Sequence, residues 1–227
     1  MHKRAVTLLE LLIAISLLGV VALGMASLDI FSRYYLSSIE RLSLVQNELA
    51  YVLDYMSKVI HGQGALFPDG IVRGRGGAIG DLNNPPLQIN RYAGGFILKV
   101  FVDWNNNGKR DTQDMWVGFQ LRDSPPHQLW VWKPCVGNTC DGEGSSYSVL
   151  SKMILGCCQE YEGEVEYRLR FAMNTGDPHN PYDPSKNYVD IRLGGCYDPS
   201  AEGSCGTPEN PKVYMYTRIR MPAVSTH

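Results

Sequence analysis

From Leu11 through Leu28 the chain has no ionised residue, only Leu, Ile, Val, Ala, Met, Gly and Ser. Wound as a helix at about 1.5 Å per residue, this run is just long enough to cross the hydrocarbon of a bilayer. His2, Lys3 and Arg4 precede it. Flanking cations stay on the cytoplasmic side, so the run reads as a single pass with everything after residue 28 exported. A cleaved secretory signal peptide is the competing reading, with Ala22-Leu23-Gly24 and Ala26-Ser27 as weak cleavage positions. The residues beyond 28 argue against it. Leu36, Ile39, Leu42, Val45, Leu49, Val52, Met56 and Val59 recur at spacings of three and four, with Glu40, Arg41, Gln46, Asn47, Glu48, Asp54 and Lys58 between them. A single helix over residues 6–60, transmembrane over 8–28 and amphipathic beyond, explains both stretches. Cleavage in its middle would discard that continuity.

Near the start of the run sits one acid, Glu10. A lone carboxylate in hydrocarbon is costly, so Glu10 either lies at headgroup depth or has a designated partner. The residues around it carry a resemblance. Lys3-Arg4, Ala5, Val6, Thr7, Leu8, Leu9 and Glu10 resemble the class III signal of type IV pilins and type II secretion pseudopilins, with a basic leader, a small residue before the cut, and an apolar-Thr-Leu-apolar-Glu start. The resemblance implies a leader of residues 1–5, cutting between Ala5 and Val6 by a prepilin peptidase, methylation, and pairing of Glu10 with the Val6 amine of a neighbouring subunit. Ala5 stands where Gly is usual and Val6 where Phe is usual. Gly19 matches a helix-loosening glycine of the family, and Ser27 stands where many major pilins carry Pro.

After Ile60 the character changes at His61-Gly62-Gln63-Gly64, a glycine-rich helix stop. Residues 61–227 read as an extracytoplasmic β-rich domain, with alternation at 96–102, 115–121, 128–132, 164–171, 188–193 and 213–220. Clusters such as Asn83-Asn84-Pro85-Pro86 and Ser124-Pro125-Pro126 separate them. The expected fold is α+β: a long N-terminal helix whose amphipathic half packs on an antiparallel β-sheet, in a pilin-like layout.

Between the first two expected strands lies DWNNNGKRDTQD, Asp103 to Asp114. As a twelve-residue cation loop it places Asp103, Asn105 and Asn107 at positions one, three and five, Gly108 at the sixth, the Lys109 backbone carbonyl at the seventh, and Asp111 and Asp114 at the ninth and twelfth. A hard cation needs six or more oxygens about 2.4 Å away, and alternate side chains of a tight turn converge to supply them. The expected ligand is a structural Ca²⁺ holding the two strands in register. Asp114 replaces the usual bidentate Glu, and strands replace the usual helices, so the loop resembles dockerin-like or EF-hand-like loops inside extracellular β domains. A plain hairpin loop would select the same residue types.

The six cysteines all lie between Cys135 and Cys205, as expected for an oxidising compartment outside the cytoplasm. Cys135 with Cys140 and Cys196 with Cys205 could each close locally, leaving adjacent Cys157 and Cys158, whose direct bond would be strained. Cys157 and Cys158 could instead pair separately with members of the outer sets, and both maps stay open. Zinc has no Cys-x-x-Cys or nearby His to support it. His61, His127 and His179 have no nucleophile or acid beside them in sequence, and no Gly-x-Ser-x-Gly or His-Glu-x-x-His occurs. Trp104, Trp116, Trp130 and Trp132 are expected in the sheet core or shielding the loop. Net charge is −2, and the basic bursts, such as His2-Lys3-Arg4 and Arg73-Gly74-Arg75, are short, so nucleic acid is not expected as the main partner.

The large size, the six cysteines, Ser27 in place of Pro and the ending YTRIRMPAVS are similar to the minor pilins of the PilW and J-type pseudopilin group. That implies a minor type IV pilin, a structural subunit that primes assembly near the fibre tip and performs no chemistry. A J-type minor pseudopilin of a type II secretion system is the alternative. Either would partner other pilin or pseudopilin subunits, the prepilin peptidase, the inner-membrane assembly platform and the membrane. It would wait in the inner membrane and then enter a pilus or a periplasmic pseudopilus. A membrane-anchored extracellular enzyme or binding module is a third class, for which no motif speaks.

Overall fold

The computed structural model describes residues 8–62, 76–80, 86–92, 95–122, 128–132, 147–155, 159–161, 164–166, 169–173 and 188–220. Helix α1 (Leu8–His61) runs without a break through both periodicities expected of it. In its apolar half the hydroxyls of Ser16 and Ser27 donate to carbonyls four residues back, Leu12 at 2.8 Å and Leu23 at 2.9 Å. Neither is therefore left as an open polar group on an apolar surface. Among the described residues α1 is the one helix long and apolar enough to cross a membrane.

Every residue from Leu8 through Ser37 is exposed, whereas Val45, Leu49, Val52, Met56 and Ile60 are fully buried. The amphipathic stripe was expected to pack from Leu36 onward. Leu36 and Ile39 are instead 62% and 44% exposed, because the β elements cover only the last part of the helix.

The end of α1 is built by a distant segment. Gly62 takes the left-handed conformation (φ 74°) that closes a helix C-terminus, and Lys58 and His61 in the last turn suit the helix dipole. The Ala78 N–H then donates to the Ile60 carbonyl at 2.7 Å, satisfying one of the orphan acceptors of the last turn. The same segment pairs with the strand that leads into the Asp103 loop. Gly76 N–H donates to Asp103 O at 3.0 Å, Asp103 N–H to Gly77 O at 3.1 Å, and Ile79 N–H to Phe101 O at 2.9 Å.

Strands β1 (Leu87–Tyr92), β2 (Gly95–Val102), β3 (Met115–Arg122), β4 (Gln128–Trp132) and β5 (Tyr147–Ser151) form an antiparallel five-stranded sheet in chain order. A second antiparallel sheet contains β8 (Leu169–Met173), β9 (Tyr188–Cys196) and β10 (Lys212–Arg220), with β9 in the middle. Strands β6 (Gln159–Tyr161) and β7 (Glu164–Glu166) pair separately. The two larger sheets meet at Ile154, which bridges to Gly195, with Leu155 N–H donating to Gly194 O and Cys196 N–H to Met153 O, both at 2.9 Å. The expected strand over 164–171 is divided between β7 and β8. Strands β1, β5 and β6 are not among the expected ones: β6 spans only three residues, β5 breaks its alternation at Val149-Leu150, and β1, though Leu87 and Ile89 alternate with Gln88 and Asn90, follows directly on the Pro85-Pro86 break.

One face of the five-stranded sheet supplies Leu87, Leu98, Val100, Val117, Phe119, Leu129 and Val131 to the core. Val189, Ile191, Leu193 and Ile219 come from the second sheet, and the buried stripe of α1 lies against both sets. Each such side chain contributes about 1.5–3 kcal/mol on burial, so the C-terminal part of α1 is an integral core element. The opposite face of the five-stranded sheet carries Trp116, Trp130 and Trp132. Trp132 is buried and donates from Nε1 to Gln120 Oε1 at 2.8 Å, and Trp130 stacks on Tyr147 at 3.8 Å between ring centroids. These tryptophans cover the outer side of the sheet, away from the helix.

Candidate functional sites

The Asp103–Asp114 loop joins β2 to β3. Asp103 is buried at its entrance and Asp114 at its exit. The Asp103 carboxylate accepts the N–H of Asn107 at 3.1 Å and of Gly108 at 2.8 Å. Asn105 Oδ1 accepts the Asn107 N–H at 3.1 Å, and Asn107 Oδ1 accepts the Lys109 N–H at 2.7 Å. Asp114 accepts from Trp104 N–H at 3.0 Å and Asp111 N–H at 2.8 Å, tying the two ends together. Asn106 (φ 57°) and Gly108 (φ 70°) both take left-handed conformations, which lets the backbone turn sharply enough to bring alternate side chains to one side.

On that side the Nδ2 groups of Asn105 and Asn107 donate to Asp111 Oδ2 at 2.9 and 2.6 Å. The amides hold the Asp111 carboxyl below the ordinary carboxylate range, Asn105 first, then the Gln113 N–H, then Asn107. Asp114 goes the other way. Burial pushes its carboxyl up, the charges of Asp111 and Asp103 push with it, and the two N–H donors oppose them.

The donor set suits a hard cation, since carboxylates, carboxamide oxygens and a backbone carbonyl are what Ca²⁺ takes. Ligation by Asn105 and Asn107 requires turning oxygen rather than nitrogen toward Asp111. Among the described residues no three His, Cys, Asp or Glu side chains converge as a metal cluster. The loop thus brings Asp103, Asn105, Asn107, Asp111 and Asp114 into one network, which its own N–H groups complete.

A second constellation was invisible in sequence. The Tyr34 hydroxyl donates to Glu209 Oε1 at 2.5 Å, and Arg41 Nη1 donates to the Glu209 carbonyl at 2.6 Å. The Arg41 guanidinium also lies 5.2 Å from the centre of the Tyr197 ring. Together they strap the segment before β10 to α1 where the helix leaves its apolar half. The strapped segment is itself rigidly organised. The Cys196–Cys205 disulfide closes it, and buried Asn210 accepts from Asp198 N–H at 2.7 Å while donating to Asp198 O at 3.0 Å and Ser204 Oγ at 2.9 Å. Cys196 and Cys205 thus close locally on each other. Cys135, Cys140, Cys157 and Cys158 lie outside the described residues.

The strap should respond to acid. The Tyr34 hydroxyl holds the Glu209 carboxyl below its ordinary range. A depressed folded pKa means that its stabilisation is present above the unfolded value, about 4.3, and is lost as pH falls through the lower folded value. Hydrogen-exchange protection at residues 197–211, taken relative to the intrinsic rate at each pH, should therefore fall in acid, and Glu209→Gln should remove that dependence. Equal profiles for both chains would show that the strap does not hold the segment.

At the other end of α1, Glu10 lies exposed in the first turn, where the positive end of the helix dipole favours a carboxylate. Ala5 and Val6 lie outside the described residues. Residues 1–26 match the prokaryotic N-terminal methylation motif. The methylation motif and the long exposed apolar helix behind it together fit a pilin or pseudopilin. They also fit anchoring in a membrane and processing by a prepilin peptidase. No curated protein and no solved structure matches the chain.

Proposed function

We propose that the chain is a minor type IV pilin, a structural subunit without catalysis that primes assembly near the tip of the fibre. The carrying observation is the methylation motif at residues 1–26 followed by a helix divided in two. One part is exposed and apolar, the other is locked into the β domain. An apolar helical surface of that length needs cover. The bilayer supplies it first and the helices of neighbouring subunits afterwards. Gly19 and Gly24 fit such packing: a Cβ at either would meet nothing within 4 Å beyond its own helix turn, and small residues let helices in a bundle approach.

In this reading cleavage exposes the Val6 amine, which pairs with Glu10 of a neighbour and sets the register between subunits. Coexpression with a prepilin peptidase followed by N-terminal sequencing should yield Val6. Retention of Met1, or a start beyond residue 22, would overturn the reading.

The same proposal assigns Ca²⁺ to the Asp103 loop, where it would offset the charge that Asp114 holds at a cost in burial. The ligands would be Asp103, Asn105, Asn107, the Lys109 carbonyl, Asp111 and Asp114. Because the 76–80 segment joins Asp103 to the end of α1, cation binding would stiffen the helix–sheet junction as well as the loop. Calorimetry on the chain from about residue 30 should show Ca²⁺ binding that Asp103→Ala abolishes. At a hundredfold excess over Kd the ion should add about 2.7 kcal/mol of stability to the wild type alone. Identical heats in the two chains would reduce the loop to a hairpin.

A further inference from the structure

Alternation along β9 and β10 assembles a face that no run of the sequence displays. Tyr214 and Tyr216 are 49% and 50% exposed on β10, and residues two apart on a strand share a face about 7 Å apart. Lys212 and Arg218 therefore join them, with Arg218 exposed and Lys212 half-buried. Across the ladder Tyr216 pairs with Arg192, itself exposed, and Tyr214 with Gly194, which adds no side chain. Arg170 pairs with Arg192 from the β8 side, and the one acid in these pairings, Asp190, pairs with Arg218. The result is a cationic, tyrosine-bearing sheet face on a chain whose net charge is −2.

The ring faces are already used. The Arg192 guanidinium lies 5.4 Å from the Tyr216 ring centre, and Lys212 Nζ lies 4.7 Å from that of Tyr214. A cation held over a ring is ordered before any ligand arrives, so less side-chain entropy is lost on binding. The same arrangement leaves the tyrosines poorly placed to stack on bases, which is how aromatic sheets hold single-stranded nucleic acid. Arg and Tyr are instead what polypeptide interfaces concentrate. The guanidinium fork of Arg192, held in this way, matches a carboxylate in a bidentate pair.

We infer that the β9–β10 face, through Arg192, Lys212, Arg218, Tyr214 and Tyr216, docks an acidic polypeptide segment of a neighbouring subunit. The neighbour rests on the pilin reading; the charge and geometry of the face do not.

The test uses the full chain in a neutral detergent and a fluorescein-labelled deca-glutamate peptide, read by anisotropy at low and physiological salt. The peptide should bind, more weakly as salt rises. Arg192→Glu with Arg218→Glu should weaken it at least tenfold, while Lys152→Glu, at an exposed site outside this face, should change it less than twofold. Arg192→Gln with Arg218→Gln removes the cations without adding repulsion, and it should lose most of the binding at an unchanged melting temperature. Absence of binding, or an equal loss in Lys152→Glu, would overturn the inference. Decathymidylate binding as tightly as deca-glutamate would also overturn it, in favour of nucleic acid. A Val6 N-terminus together with no peptide binding would remove the docking face and leave the pilin reading standing.

Discussion

Gly62→Ala should lower the unfolding free energy of the chain by about 2–4 kcal/mol, combining about 1 for a side chain in the left-handed region with about 1–3 for a forced backbone shift. A Cβ at Gly62 would sit 2.2 Å from the Gly76 carbonyl carbon and the Gly77 nitrogen. Both are backbone atoms, so no side chain can swing away. The strain would also reach the Ala78 to Ile60 hydrogen bond and the pairing of Gly76 and Gly77 with Asp103, so the candidate cation loop should loosen along with the helix end. Urea denaturation followed by tryptophan fluorescence should show a midpoint lower by about 1–2 M. Gly24→Ala is the matched control in the same helix: its Cβ meets nothing within 4 Å. Equal midpoints for Gly62→Ala and wild type would mean that the 76–78 segment does not close the helix as described.

Leu49→Ala should cost about 2–5 kcal/mol, the range for truncating a fully buried leucine. Leu49 is fully buried in the cluster that joins α1 to both sheets, and its Cδ2 lies 3.0 Å from where a Cβ on Gly195 would be, so little slack exists to refill the hole. Leu36→Ala is the informative comparison. Leu36 belongs to the same helical stripe in sequence but is 62% exposed, and its truncation should change the monomer by less than about 0.5 kcal/mol. A loss at Leu36 equal to that at Leu49 would place the edge of the domain nearer the apolar half of α1 than the structure has it. If neighbouring helices cover Leu36 in a fibre, its truncation should instead lower recovery of assembled subunits while the monomer's melt is unchanged.

The long helix was legible because its signal is repeated: the apolar run and the three-four spacing each persist over several turns. The strands with strong alternation, such as Met115–Arg122 and Lys212–Arg220, were legible for the same reason. Where the helix begins to be buried was not, because Leu36 and Val45 look alike in a periodic pattern and only the reach of the sheets separates them. The Asp103–Asp114 loop could be found by its spacing, since its hydrogen bonds join residues close in the chain. The Tyr34–Glu209 strap could not, because its partners are 175 residues apart and a surface Tyr and Glu carry no local mark.

Charge shows the division most sharply. No two cations are adjacent in the sequence near the C-terminus, yet antiparallel pairing sets Arg192 beside Tyr216 and Arg218 two residues along, on one face. By itself the sequence determined the elements whose physics is local: a bilayer-length apolar helix, its motif at residues 1–26, the oxygen-rich turn and the strongest strands. Only the tertiary structure decided which part of the helix is core, how a distant segment closes its end, which cysteines Cys196 and Cys205 take as partners, and where isolated cations become a surface. Those outcomes depend on contacts between residues far apart in the chain, and no pattern of neighbours along a sequence encodes the register that brings them together.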